Sequence, residues 1–242
     1  MRCAVLLTGH PRTFEQTQES LFDNCIRPNN ADVFLSVWSE DEAGKPVDID
    51  RLHQVYNPTK IDESSVSDYE TEKDKFVFIN RPGDCFQTNI RAYLSKQTNG
   101  IRQIERIRSQ WYRVKRGIAA IAATGKYDVI FRMRFDIKLH GKIDLSVVSI
   151  DKSGCYIPRL IESVEQDHFV SCGLTSPVMT DHWCYGPWES MLKYGSIYDQ
   201  LLSMYRDENV PISNAEEMFA YFMLTRIGTE HYIDGVPYEL VR

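Results

Sequence analysis

Apolar and polar positions along the chain change period several times, and each change marks an element. Residues 2–8 are a short apolar run that ends in the sharp turn Thr8-Gly9-His10-Pro11-Arg12. Over residues 14–26, Phe14, Leu21, Phe22 and Cys25 fall at helical spacing, and residues 31–38 then carry Val33, Phe34, Leu35 and Val37 as a second strand. Strand, helix and strand in this order predict a βαβ unit with a right-handed crossover in a parallel sheet. An acidic stretch with Gly44 and Pro46 follows, then a short helix over Ile49–Tyr56. Residues 62–74 are rich in Ser, Asp and Glu, which predicts a surface loop or insert, and residues 75–80 (KFVFIN) predict another strand.

The longest periodic segment covers residues 87–124, mostly helical and interrupted around Thr98-Asn99-Gly100. Ile101, Ile104, Ile107, Trp111, Val114, Ile118 and Ile121 make one apolar stripe at steps of three and four. Arg102, Arg106, Arg108, Arg113, Lys115 and Arg116 lie off it. Such a run is expected to be a solvated face, or a source of positive potential for an acidic ligand. Gly125 closes the helix.

The segment YDVIFRMRFDIKL, residues 127–139, carries the most chemistry. At period two, Val129, Phe131, Met133 and Phe135 share one face while Arg132, Arg134 and Asp136 share the other. A buried strand therefore ends by projecting cations and a carboxylate from one edge. In an open α/β sheet, ligands bind beyond the carboxyl ends of the strands. A phosphate there meets guanidinium groups directly, and meets Asp136 through a divalent cation. The plain alternative is a structural ion pair at a strand end. Farther on, residues 180–186 lead into a helix near Pro187, and a last helix over residues 214–226 opens at Ser213 or Asn214. The class is α/β, with its most regular part at the N-terminal end.

Bulk properties narrow the function. The 242 residues suit one large domain or a domain with a small appendage, and 43% hydrophobic with 26% charged residues is ordinary for a globular protein. A net charge of −6 argues against nucleic acid as a partner of the whole molecule. The opening residues read as a strand and lack a signal-peptide core, and no stretch is long and apolar enough to span a bilayer. Cys3, Cys25, Cys85, Cys155, Cys172 and Cys184 are scattered without metal-ligand spacing. They are expected to be mostly buried thiols in a reducing compartment, the cytoplasm, with no more than peripheral membrane contact.

Four groups of residues are candidates for a site. The loop of Thr8, Gly9 and Arg12 precedes a helix N-terminus that suits an anion or a base edge, although its single glycine supports neither a dinucleotide fingerprint nor a P-loop. Arg12 either holds a diphosphate or pairs with Glu15 or Glu19. Asp136 suits Mg²⁺ or Mn²⁺, which take one or two carboxylates plus substrate phosphates. Asp181, Glu216 and Glu217, each near a helix entrance, suit a general base for a sugar hydroxyl. The alternatives are a turn role for Asp181 and helix-dipole service for the two glutamates. His231 follows the last helix and is either a metal ligand or structural.

Three stretches, in this order, carry a family resemblance: LLTGHPRTF with ADVFLSVWS, then YDVIFRMRFDI, then TDHWCYGPWESM followed by NAEEMFAYFMLTRIG. The chain resembles nucleotide-sugar-dependent glycosyltransferases of the GT-A fold, most nearly the lipopolysaccharide- and capsule-type transferases of bacteria and large viruses. The resemblance implies a GT-A-like, Rossmann-related, mostly parallel central sheet flanked by helices in a single domain. Residues 1–140 would form the nucleotide-sugar half and residues 141–242 the acceptor half. It implies a nucleoside-diphosphate sugar as donor and a glycan or glycolipid as acceptor. Thr8, Gly9 and Arg12 would line the nucleotide pocket, and Asp136 would be the surviving acid of the Asp-x-Asp metal motif. Asp181 with Glu216 or Glu217 would face the acceptor. Arg134 stands where the first acid of that motif is usual, so a guanidinium beside Mn²⁺ or Mg²⁺ would offset the diphosphate charge. The rival readings are a sugar-phosphate nucleotidyltransferase and a non-catalytic nucleotide- or carbohydrate-binding module.

Overall fold

The computed structural model describes residues 1–41, 44–65, 67–69, 100–146, 150, 154–158, 181–206, 219, 222–227, 230–233 and 236–241, with side chains in the helix Gly100–Thr124 described from Arg108 onward. The first strand, β1 (Cys3–Thr8), is entirely buried, as its unbroken apolar run requires of a central parallel strand. Helix α1 (Phe14–Leu21) continues as a π-helical turn over Phe22–Ile26, and β2 (Asp32–Trp38) returns parallel to β1. The βαβ unit expected from the hydrophobic pattern is therefore present. Helix α2 (Ile49–Tyr56) has the expected bounds: Asp48 caps it by accepting the Arg51 amide at 2.8 Å, and Asn57 ends it in the left-handed region.

The polar stretch after α2 departs from expectation. Lys60–Ser64 is a strand, β3, pairing parallel with β2, rather than the start of a surface loop. Its polar residues are accommodated because Asp62 turns toward arginines of helix α3 (Gly100–Thr124). The strand expected over residues 75–80 and the helix expected over 87–99 lie outside the described residues.

Strand β4 (Val129–Arg134) lies on the other side of β1. After the turn at Phe135-Asp136, β5 (Ile137–Leu139) leaves the main sheet and pairs with β9 (Tyr238–Leu240). Strands β6 (Cys155–Pro158), β7 (Trp183–Pro187) and β8 (Glu230–Ile233) complete a seven-stranded sheet of order β3-β2-β1-β4-β7-β6-β8. Strand β7 is antiparallel to both neighbours, and the other pairings are parallel. Residues from both halves of the chain thus build one mixed, mostly parallel sheet.

Period-two alternation divides the core. Ala4, Leu6, Phe34 and Ile130 face α3, α4 (Trp188–Gly195) and α5 (Ile197–Arg206), where Trp111, Val114, Ile118 and Ile121 supply the expected stripe. Val5, Leu7, Leu35, Phe131 and Met133 face α1 and α2. The charged residues of α3 are not uniformly solvated, because Arg108 and Arg113 are buried while Arg116 is exposed. Among the described residues, Cys3, Cys25, Cys155 and Cys184 are free and buried, as expected. No helix among the described residues is long and apolar enough to cross a membrane.

Candidate functional site

The chain leaves β1 to one side to form β2 and returns on the other side as β4, so the sheet order reverses between β1 and β4. In a doubly wound sheet the crevice at the carboxyl ends of two such strands is the ligand position. The register puts Thr8 opposite both Ser36 and Arg134 at that edge. Gly9 follows with φ of +106°, a conformation that favours glycine, and its amide donates to the Ser36 carbonyl at 3.3 Å. A side chain added at Gly9 would meet open space, so the backbone itself faces the opening. Arg12 lies exposed on the same loop, and Glu15, one of the partners weighed for it, accepts from Arg51 Nε at 3.2 Å.

Because β7 runs antiparallel to β4, its beginning lies beside the end of β4. Met133 pairs with Trp183, and the Arg134 amide donates to the His182 carbonyl at 3.3 Å. Three segments distant in sequence, 8–12, 134–136 and 181–182, therefore meet at one edge. Arg132 stitches them together from beneath. Its side chain is fully buried, with Nε donating to Thr8 Oγ1 at 3.1 Å and Nη1 donating to the carbonyls of Asp181 and, at 3.5 Å, His182. A buried guanidinium demands such acceptors. The alternation of the strand put Arg132 on the polar face, but only the register reveals what it joins.

Arg134 and Asp136 form a two-pronged ion pair, Nε to Oδ1 at 2.8 Å and Nη2 to Oδ2 at 2.5 Å. The Asp136 side chain is 11% exposed and that of Arg134 is 30% exposed. The turn that carries the pair is fixed on both sides. Thr17 Oγ1 of α1 donates to the Phe135 carbonyl at 2.6 Å, and the Val241 amide donates to the Asp136 carbonyl at 2.9 Å. This is the ion pair foreseen as the plain alternative, and it stands at the carboxyl edge of the sheet with its cationic member the more accessible.

Asp181 is drawn inward. It is 3% exposed, and its carboxylate accepts from Gln110 Nε2 of α3. Beside it His182 is half-buried, with Nδ1 3.0 Å from the Tyr238 hydroxyl of β9. Burial lowers the His182 pKa, Arg134 and Arg132 lower it further, and Asp181 and Asp136 oppose them; the net shift is downward and favours a neutral ring. Neither His182 nor Tyr238 stood out in the sequence, because what relates them is a hydrogen bond across 56 residues.

The remaining candidates do not join this edge in the described structure. Glu216 and Glu217 lie outside the described residues. The backbone of His231 sits on β8 level with Tyr156 and, through Tyr185, with Phe131, in mid-sheet and three strands from β4. At about 4.8 Å per strand it is not brought next to Asp136. Among the described residues no group of three His, Cys, Asp or Glu side chains could hold a metal ion. Asp136 fits a divalent cation only as one carboxylate sharing it with substrate phosphates.

No protein-family model matches the chain, and no curated protein sequence matches it. Solved structures do. One is core-mannan synthase A (CmsA/Ktr4) from Aspergillus fumigatus in its Mn/GDP form, 9% identical, with a TM-score of 0.55 over 100% of this chain and 75% of that one. Another is mouse xyloside xylosyltransferase 1 in its apo form, 12% identical, with a TM-score of 0.47 over 96% of this chain and 84% of that one. At such identities the likeness to the synthase speaks to the fold. It does not single out the lipopolysaccharide- and capsule-type enzymes that were expected. The chain has an α/β fold of GT-A, Rossmann-related architecture, with a mixed, mostly parallel sheet between helical layers.

Proposed function

We propose that the protein is a glycosyltransferase that moves a sugar from a nucleoside-diphosphate donor to a hydroxyl of a glycan or glycolipid. The observation that carries this reading is the Arg134–Asp136 pair, held at the switch-point edge beside the open backbone of Gly9. Gly9 and Arg12 line the nucleotide above Thr8, which is buried and supports the loop by accepting from Arg132, and Arg134 meets the diphosphate with an oriented guanidinium. Asp136 orients Arg134 through both of its carboxylate oxygens, and it is the residue that would hold Mn²⁺ or Mg²⁺ together with substrate phosphates. When bound, that ion neutralises charge developing on the departing diphosphate. The bond from the anomeric carbon to the diphosphate oxygen breaks and one to the acceptor oxygen forms. The acceptor proton passes to a carboxylate, for which Glu216 and Glu217 are the candidates; Asp181, turned toward Gln110, serves by anchoring its loop. The likeness in fold to CmsA/Ktr4, whose structure is its Mn/GDP form, supports the donor class.

The test is a thermal-shift screen of UDP-, GDP-, CMP- and TDP-sugars with and without Mn²⁺, followed by donor hydrolysis. Binding raises stability in proportion to the logarithm of ligand concentration over its dissociation constant. Asp136→Asn keeps the shape of the turn and should lower turnover of the stabilising donor about a hundredfold or more. Wild-type turnover in that variant refutes the site. Stabilisation without any donor hydrolysis points instead to a binding module, and pyrophosphate release from a sugar phosphate and a nucleoside triphosphate points to a nucleotidyltransferase.

A further inference from the structure

We propose that His182 is a substrate-contacting residue of this crevice, donating from Nε2 to a diphosphate oxygen, and that Tyr238 is the positioning residue that makes Nε2 the donor. The inference rests on the glycosyltransferase reading and deepens it by one contact.

The backbone of His182 is fixed, since its carbonyl accepts from the Arg134 amide and from Arg132 Nη1. Its neighbours Asp181 and Trp183 are buried, whereas the imidazole stays partly open at the edge where Arg134 also emerges. The ring stands edge-on to Tyr238, with planes 79° apart and centroids 5.8 Å apart. Nδ1 is committed to the Tyr238 hydroxyl at 3.0 Å, so Nε2 is the nitrogen left for a ligand. A phenol O–H is a stronger acid than the N–H of neutral imidazole. The hydroxyl therefore donates to Nδ1, and the single ring proton resides on Nε2. A fixed N–H beside a guanidinium suits phosphate oxygens, whose charge strengthens each hydrogen bond.

Tyr238 is itself held in place by the strand that holds Asp136. It pairs with Leu139 in the β5–β9 ladder and packs edge-on against Trp183, and three residues later the Val241 amide holds the Asp136 carbonyl. One short strand thus fixes both the acidic turn and the imidazole.

The experiment uses the full chain, ¹⁵N-labelled, with UDP and GDP, each with Mg²⁺, as probes. Long-range ¹H–¹⁵N spectra, assigned with His182→Gln, should show the His182 ring protonated at Nε2, and that signal should move when the nucleotide that raises Tm is added. Tyr238→Phe should shift the ring toward a mixture of tautomers and weaken nucleotide binding about threefold, and His182→Ala should weaken it about tenfold. The wild-type spectrum and His182→Ala decide the matter even if Tyr238→Phe folds poorly. A nucleotide that raises Tm yet leaves the ring signal and the His182→Ala affinity unchanged overturns this inference and spares the function. If neither nucleotide raises Tm or binds, the donor reading fails for these bases, and the diphosphate contact falls with it.

Discussion

A buried arginine is the residue-scale problem that this chain solves most visibly. Arg113 is fully buried on α3, a position its sequence neighbours suggested would be solvated. Its Nη2 donates to the Asp62 carboxylate at 2.7 Å, while the Trp38 ring lies 5.1 Å from the guanidinium carbon, and among the described residues Nε and Nη1 find no acceptor. Burial lowers its pKa to about 10 and Asp62 pulls the other way, so the group remains charged at neutral pH. Arg116, on the exposed side of the same carboxylate, donates to Oδ1 at 2.7 Å. Removing the carboxylate would strand a buried cation, a loss that typically exceeds what the intact pair contributes. Asp62→Asn is therefore expected to cost about 3 kcal/mol in urea unfolding. The double change Arg113→Met with Asp62→Leu should return to within about 1 kcal/mol of wild type, since no charge remains to strand. A double variant as weak as Asp62→Asn would locate the loss elsewhere.

Among elements, α3 decides how closely helix and sheet approach. Gly117 lies against β1 and β2, where a Cβ would run into the methyls of Leu6 and come within 3.0 Å of Ser36 Cβ. Leu6 is fully buried and has no room to yield. In an exposed helix, glycine to alanine gains about 1 kcal/mol. Here overpacking should outweigh that gain, so Gly117→Ala is expected to lose about 2 kcal/mol and about 5 °C in Tm. A rise in Tm would mean that α3 sits farther from the sheet. The same element marks how far the sequence is legible. Bounds of α2, the βαβ unit and the Trp111–Val114–Ile118–Ile121 stripe follow from local period and caps, which neighbouring residues determine. β3 does not, because its polar residues are stabilised by arginines about 50 positions away. The site divides likewise: Thr8, Gly9, Arg134 and Asp136 could be named from a strand end and a turn. The inward turn of Asp181 and the union of His182 with Tyr238 needed the β4–β7 and β5–β9 registers, which no local pattern encodes.

At the scale of the molecule, the sheet order gives the two ends of the strands different work. The amino-terminal edge is closed by structural contacts: Arg2 N donates to Asp128 Oδ2 at 2.6 Å, the Asp128 amide donates to the Arg2 carbonyl at 2.8 Å, and the Tyr127 hydroxyl donates to Asp32 at 2.7 Å. The carboxyl edge gathers the loop after β1, the turn after β4 and the approach to β7, and there Gly9 opens on free space. A donor bound at the switch point must contact all three segments at once, although the first lies more than a hundred residues before the other two in the chain. Hydrogen exchange on the full protein with a stabilising nucleotide sugar at about a hundred times its dissociation constant tests this directly. Such a ligand adds about 2.7 kcal/mol to the bound state, enough to slow amides that open with the site by tenfold or more. Slowing is expected at the amides of Gly9, Arg12, Arg134 and Asp136, and at His182. The Asp128 and Val129 amides, which bond the Arg2 carbonyl at the opposite edge, should keep their rates. Protection confined to one of the three segments, or centred on the Arg2 edge, would remove the switch point from the mechanism.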